Sequence, residues 1–154
     1  MSRGWTILAL LALLGASGCS RNQHTAPASE GAAVQVAVSD FHAMATPEGA
    51  TVGAIFGTLV ADAADTLVAV SVPAEVAGRA EIHEMVADSS GQMSMRAVPA
   101  LALPEDQALE LRPGGLHLML FDLVAPLRPE RPVSLTLRFA RGGERVVEVP
   151  VREL

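Results

Sequence analysis

Three short stretches pair a histidine with a methionine two residues on: His42 with Met44, His83 with Met85, and His117 with Met119. Two further methionines, Met93 and Met95, follow the second pair closely. Thioether sulfur is soft, uncharged and never protonated near neutral pH. It binds Cu(I) well and Zn(II), Ca(II) or Mg(II) poorly. Deprotonated imidazole binds copper in either oxidation state. A His/Met set without cysteine therefore suits Cu(I) that is held firmly and later released to a thiolate-rich acceptor, and it resists oxidation outside the cytoplasm. A blue-copper centre needs a cysteine beside its two histidines. The only cysteine, Cys19, lies close to the N-terminus, well before these residues, so that chemistry falls. Methionine is also ordinary core filler, and a lone His-x-Met pair often only packs. Exposure separates the two readings: ligands belong at a rim, filler belongs in the core.

Strands must position these side chains. From residue 33 the chain reads as short runs rich in Val, Leu and Thr with period-two alternation: 33–38, 52–60, 65–72, 79–86, 92–98, 107–112, 116–121, 133–140 and 144–151. The turn signals TPEGA, DSSG, RPGG, RPERP and RGGE separate many of them. No long segment of period 3.6 and no internal repeat is visible. The pattern predicts an antiparallel β-sandwich. On a strand, residues i and i+2 share a face, so each His-x-Met pair points one way, as do Met93 and Met95. A hairpin turn centred on Ser89 would set His83 opposite Met95 and Met85 opposite Met93.

The N-terminus is of another kind. Arg3, the apolar run WTILALLALLGA and the small residues SGC read as a secretory signal, too short for a transmembrane helix. The junction LLGASGCS has the form of a bacterial lipoprotein signal, with Ala16 where Leu is usual and Cys19 as the lipid-bearing residue. Three segments follow: a lipoprotein-type signal peptide (1–18), a flexible polar tether (19–32) and one β domain (33–154). With one cysteine there is no disulfide, so the fold rests on its core. A net charge of −6, with no basic stripe, argues against nucleic acid. No nucleophile–base set, GxSxG elbow, HExxH or phosphate loop occurs, which points away from an enzyme.

These residues are similar to the motif of the periplasmic copper chaperones called PCuAC: a His element, about ten residues, Met, twenty-one residues, then His-x-Met. Here His83 and Met95 are separated by eleven residues, and twenty-one (96–116) separate Met95 from His117. The surroundings AEIHEM, MSMRAV and LRPGGLHLMLFDL also match, and the resemblance spans roughly residues 35–151. It departs in the first third, where the family tends to carry D-A-W-x-R and this chain has SDFHAM. The resemblance implies a cupredoxin-like antiparallel Greek-key sandwich that binds Cu(I) through His83, Met95, His117 and Met119, with Met85 and Met93 as neighbours that alternate as ligands or shield the ion. His42 and Met44, where the chain departs from the family, have two readings: drift of a surface segment, or a second or auxiliary copper contact. It also implies delivery of copper toward the CuA centre of cytochrome c oxidase, with the CuA subunit or a Sco-type thiol protein as partner. The expected location is the periplasm or cell envelope, lipid-anchored to a membrane. Other readings stay open from the residues alone: a non-metal envelope lipoprotein in adhesion or assembly, a copper-dependent oxidoreductase, or a copper-resistance buffer.

Overall fold

A computed structural model describes residues 33–153. The expected signal peptide, tether and Cys19 lie outside the described residues. Eleven strands follow one another without a helix between them: β1 (Val36–Met44), β2 (Val52–Ala61), β3 (Asp65–Ser71), β4 (Ala77–Ala87), β5 (Met93–Ala97), β6 (Leu101–Leu103), β7 (Leu109–Leu111), β8 (Leu116–Leu123), β9 (Val133–Phe139), β10 (Gly143–Val149) and β11 (Val151–Arg152). They form two sheets. The larger has the order β11-β1-β2-β8-β4-β5, with β7 on the side of β2, and the smaller has the order β10-β9-β3-β6. The chain crosses repeatedly between them, making an all-β sandwich.

Alternation explains the core. Val133, Leu135, Leu137 and Phe139 of β9 and Leu118 and Leu120 of β8 are buried between the sheets, with Ile55 and Leu59 of β2. Each such side chain contributes about 1.5–3 kcal/mol relative to exposure. The core cluster contains no methionine among the described residues. The His-x-Met pair of β8 alternates with Leu118 and Leu120 and therefore faces the outside of the larger sheet.

Three differences from the sequence reading have local causes. The first strand runs over Val36–Met44 rather than 33–38. Asp40 takes a left-handed conformation (φ 54°), and the β1–β2 register slips there. Val36 faces the core before this bulge; Phe41 and Ala43 face it afterwards. The extra residue breaks the period-two pattern that marks a strand. Gly57 of β2 leaves the room Phe41 needs, since a Cβ there would come within 2.2 Å of the ring. β6 has only three residues, LAL, between Pro99 and Pro104, too short to read as a run. Finally, the sandwich is not wholly antiparallel: after Pro150, β11 pairs parallel to β1, with Ala43 opposite Val151.

Candidate metal centre

The RPGG turn delivers the first histidine. Gly114 takes φ 75°, open to glycine at no steric cost, and the Gly115 N–H closes the turn on the Arg112 carbonyl at 3.1 Å. His117 follows at the start of β8 and is 6% exposed. Its Nδ1 lies 2.9 Å from the Gly115 carbonyl oxygen. A carbonyl only accepts, so Nδ1 carries the proton and Nε2 of the neutral ring keeps its lone pair.

β4 supplies the second histidine. His83 pairs directly opposite His117, and the two ring centroids are 6.2 Å apart. His83 Nε2 donates to Glu81 Oε2 at 2.9 Å, while its Nδ1 is buried without a hydrogen-bond partner. The His83 hydrogen bond holds the Glu81 carboxyl below its ordinary range against desolvation, and Arg79 adds to this. Glu81 was not among the residues picked from the sequence. The signal was present: Glu81 and His83 are i and i+2 on one strand, by the same parity that placed Met85.

The β4–β5 hairpin brings the methionines. Asp88 accepts from the N–H groups of Ser90 and Gln92, and Gly91 takes φ 81°. This three-residue loop centres the turn on Ser90 rather than Ser89. The pairing therefore moves from the predicted one: Met85 lies opposite Met95, His83 opposite Ala97, and Met93 opposite Ala87. The parity survives, so Met85, Met93 and Met95 share the face of His83. Met95 is 49% exposed, yet its sulfur lies 3.2 Å from His117 Nε2. Met93 is similarly exposed and two residues nearer the hairpin tip. Met119 is buried on the same outer face, its Cα in register with Ala54 and Glu81.

His42 also reaches this face, because the Asp40 bulge turns it there. Its Nδ1 donates to the Asp40 carbonyl at 2.9 Å. Its ring packs on Phe56 at 5.8 Å, and Phe56 packs on His117 at 6.3 Å. Phe56 thus stands between His42 and the two central histidines. Met44 lies further along β1, its Cα opposite Arg152.

His117 Nε2 and Met95 Sδ lie 3.2 Å apart. In the neutral ring whose Nδ1–H donates to Gly115, both atoms present lone pairs, and a shared cation would satisfy both. Bonds of about 2.0 Å to nitrogen and 2.3 Å to sulfur at a tetrahedral centre would put two such atoms roughly 3.5 Å apart, close to what is seen. Two imidazoles on one ion would hold their centroids roughly 5–6.5 Å apart by the same bond lengths, which includes the His83–His117 spacing. Among the described residues no group of three His, Cys, Asp or Glu side chains is placed to hold a metal ion, so an ion at this face depends on thioether sulfur.

The family model described as "Putative lipoprotein LpqE-like" matches residues 36–151. A relative from Leifsonia xyli subsp. xyli, "Putative lipoprotein Lxx21020", is 32% identical over 152 residues, 98% of this chain and 89% of that one. The apo PCuAC domain of PmoF1 superposes with a TM-score of 0.63 at 25% identity, over 77% of this chain and 94% of that one. The Cu(I) form of DR1885 from Deinococcus radiodurans superposes with a TM-score of 0.56 at 28% identity, over 75% and 78%. The chain belongs to the LpqE-like lipoprotein family and has the fold of PCuAC domains.

Proposed function

We propose that the chain is an extracytoplasmic Cu(I) carrier, anchored to the cell envelope through a lipid on Cys19. His83, Met95, His117 and Met119 are its ligands, and Met85 is a neighbour that shields the ion from water. The observation that carries this reading is the approach of His117 Nε2 to Met95 Sδ at 3.2 Å, a borderline nitrogen and a soft sulfur brought together at one place on the sheet. The inter-sheet cluster of described residues holds no methionine, which agrees with it: Met119 is buried on the outer face of the larger sheet and Met95 is half-exposed there. The similarity to the Cu(I) form of DR1885 supports the choice of metal and oxidation state.

A neutral set of two imidazoles and two thioethers binds Cu(I) without the charge and oxidation risk of thiolate. A thiol partner then draws the ion away, because thiolate is the stronger soft ligand. The destination in this reading is the CuA centre of cytochrome c oxidase, reached directly or through a Sco-type thiol protein. The role is that of a carrier rather than an enzyme.

An anaerobic competition titration with Cu(I) against a chromophoric chelator, with Zn(II) in parallel, tests the site. One tightly bound equivalent and no Zn(II) uptake is the expected result. No Cu(I) retained at micromolar chelator would end the copper reading. Transfer from the loaded chain to a soluble CuA domain tests the destination: no gain of copper by that domain, with or without a Sco-type thiol protein, would remove it.

A further inference from the structure

We propose that Glu81 is a positioning residue for the ion, holding the His83 ring so that Nδ1, not Nε2, is the nitrogen it presents. The inference rests on the Cu(I) reading above and deepens it by assigning the nitrogen used by each histidine.

The argument starts from what each atom is able to do. His83 Nε2 lies 2.9 Å from Glu81 Oε2. An ionised carboxylate only accepts, so Nε2 carries the proton, and the one lone pair of the neutral ring is on Nδ1. That nitrogen is buried and has no hydrogen-bond partner. A buried acceptor without a partner is costly and rare in folded proteins. An ion at this place would satisfy it.

Glu81 is not free to turn away. Its second oxygen accepts from Arg79 Nε at 3.0 Å, and Arg79 Nη1 donates to Asp122 Oδ2 at 2.8 Å. The Arg79 guanidinium carbon lies 4.4 Å over the Phe121 ring, which packs against His83 with centroids 5.5 Å apart. His83, Glu81, Arg79 and Phe121 therefore close a ring of contacts on β4 and β8. A carboxylate behind a metal-binding imidazole fixes its tautomer and raises its basicity. His117 is held differently, with the Gly115 carbonyl taking the Nδ1 proton and Nε2 left free. The two histidines thus offer opposite nitrogens.

The test uses the 15N-labelled full chain in detergent, because Cu(I) is diamagnetic and leaves imidazole spectra readable. Two-bond 1H–15N correlations of the apo protein should show His83 protonated on Nε2 and His117 on Nδ1. Adding Cu(I) anaerobically should shift His83 Nδ1 and His117 Nε2. Glu81→Ala should abolish the His83 tautomer preference and weaken Cu(I) roughly 10–100-fold. Glu81→Gln, whose amide oxygen still accepts from Nε2, should restore the tautomer and most of the affinity. Coordination of His83 through Nε2, or a Glu81→Ala chain with unchanged tautomer and affinity, overturns the inference while leaving the copper site intact. No Cu(I) shift at either histidine would overturn the copper reading and this inference with it.

Discussion

His117 of β8 and Met95 of β5 are not on neighbouring strands, yet Nε2 and Sδ come within 3.2 Å. β4 runs between them, so the Met95 side chain lies across that strand, spanning two interstrand spacings of about 4.8 Å each with the help of the His117 ring. His83 and Met85 lie on the strand it crosses. The candidate centre is therefore layered. His83, His117 and Met119 are embedded in the sheet face at 9%, 6% and 9% exposure, and a half-exposed methionine on an edge strand reaches His117 from above that face.

This layering makes the two sides of the site separable. Replacing His117 and Met119 together by alanine should reduce Cu(I) affinity by more than a hundredfold. The double variant should keep its β-sheet circular dichroism and lose about 2–4 kcal/mol of stability, mostly from Met119. Chelator competition and denaturant unfolding on the same sample check both. Retained affinity would exclude these two residues as ligands.

Met95 and Met93 are similarly exposed and differ in what they touch. Met95→Ala should weaken Cu(I) about tenfold or more and speed its loss to a small thiol such as glutathione. Met93→Ala should change neither by more than about threefold. Both variants should unfold within about 0.5 kcal/mol of wild type, as surface truncations do. Stopped-flow transfer rates with matched thiol concentrations separate the two. Equal effects would mean that the hairpin offers either sulfur.

The site was legible in part because strand parity survives errors of register. The sequence places Met85, Met93, Met95 and His83 on one face whether the turn centres on Ser89 or Ser90, since both choices pair odd with odd. It does not reveal which residues meet, because that depends on the Asp88 side chain binding the loop and on Gly91 taking a left-handed conformation. The contact of Met95 with His117 is equally hidden, as it crosses an intervening strand. Most strands were readable from alternation. β1 was truncated because Asp40 inserts a residue and reverses the faces, and β6 and β11 are too short to show a period. Glu81 carries no soft donor, and its role shows only once the His83 ring is placed against its carboxylate.

His42 shares the outer face with the central pair, but Phe56 stands between. His42→Ala with Met44→Ala should leave one Cu(I) equivalent and change its affinity by less than about threefold. A drop from two equivalents to one would make His42 and Met44 a second site and favour a buffering role. Titration to saturation under anaerobic conditions reads the stoichiometry directly.

Membership of a lipoprotein family, together with the LLGASGCS junction, sets a test for the anchor. Cys19→Ala should move the chain from the membrane fraction to the soluble fraction without altering Cu(I) affinity. A variant that still sediments with membranes would remove Cys19 as the lipid site. Loss of copper binding in that variant would tie the anchor to the fold.

Far from the site, Asp65 fastens the smaller sheet. It is buried, and its carboxylate accepts from the N–H groups of Thr66 at 2.7 Å, Arg141 at 2.9 Å and Gly142 at 2.8 Å. Burial pushes its pKa up, but these backbone donors and the Arg141 charge pull it further down, so the net shift is below the ordinary value. A folded-state pKa below the unfolded one adds stability above the unfolded value, about 3.9 for Asp, and that stability is lost as pH falls through the folded value. Asp65→Asn should therefore cost about 1.5–3 kcal/mol near pH 7, the range for hydrogen bonds to a charged group. The gap from wild type should narrow below about pH 4, because wild type loses its carboxylate there and the variant has none to lose. Urea midpoints measured from pH 7 to pH 2.5 on both proteins give the gap directly, and a gap that stays constant over that range would mean the carboxylate charge contributes nothing to the fold.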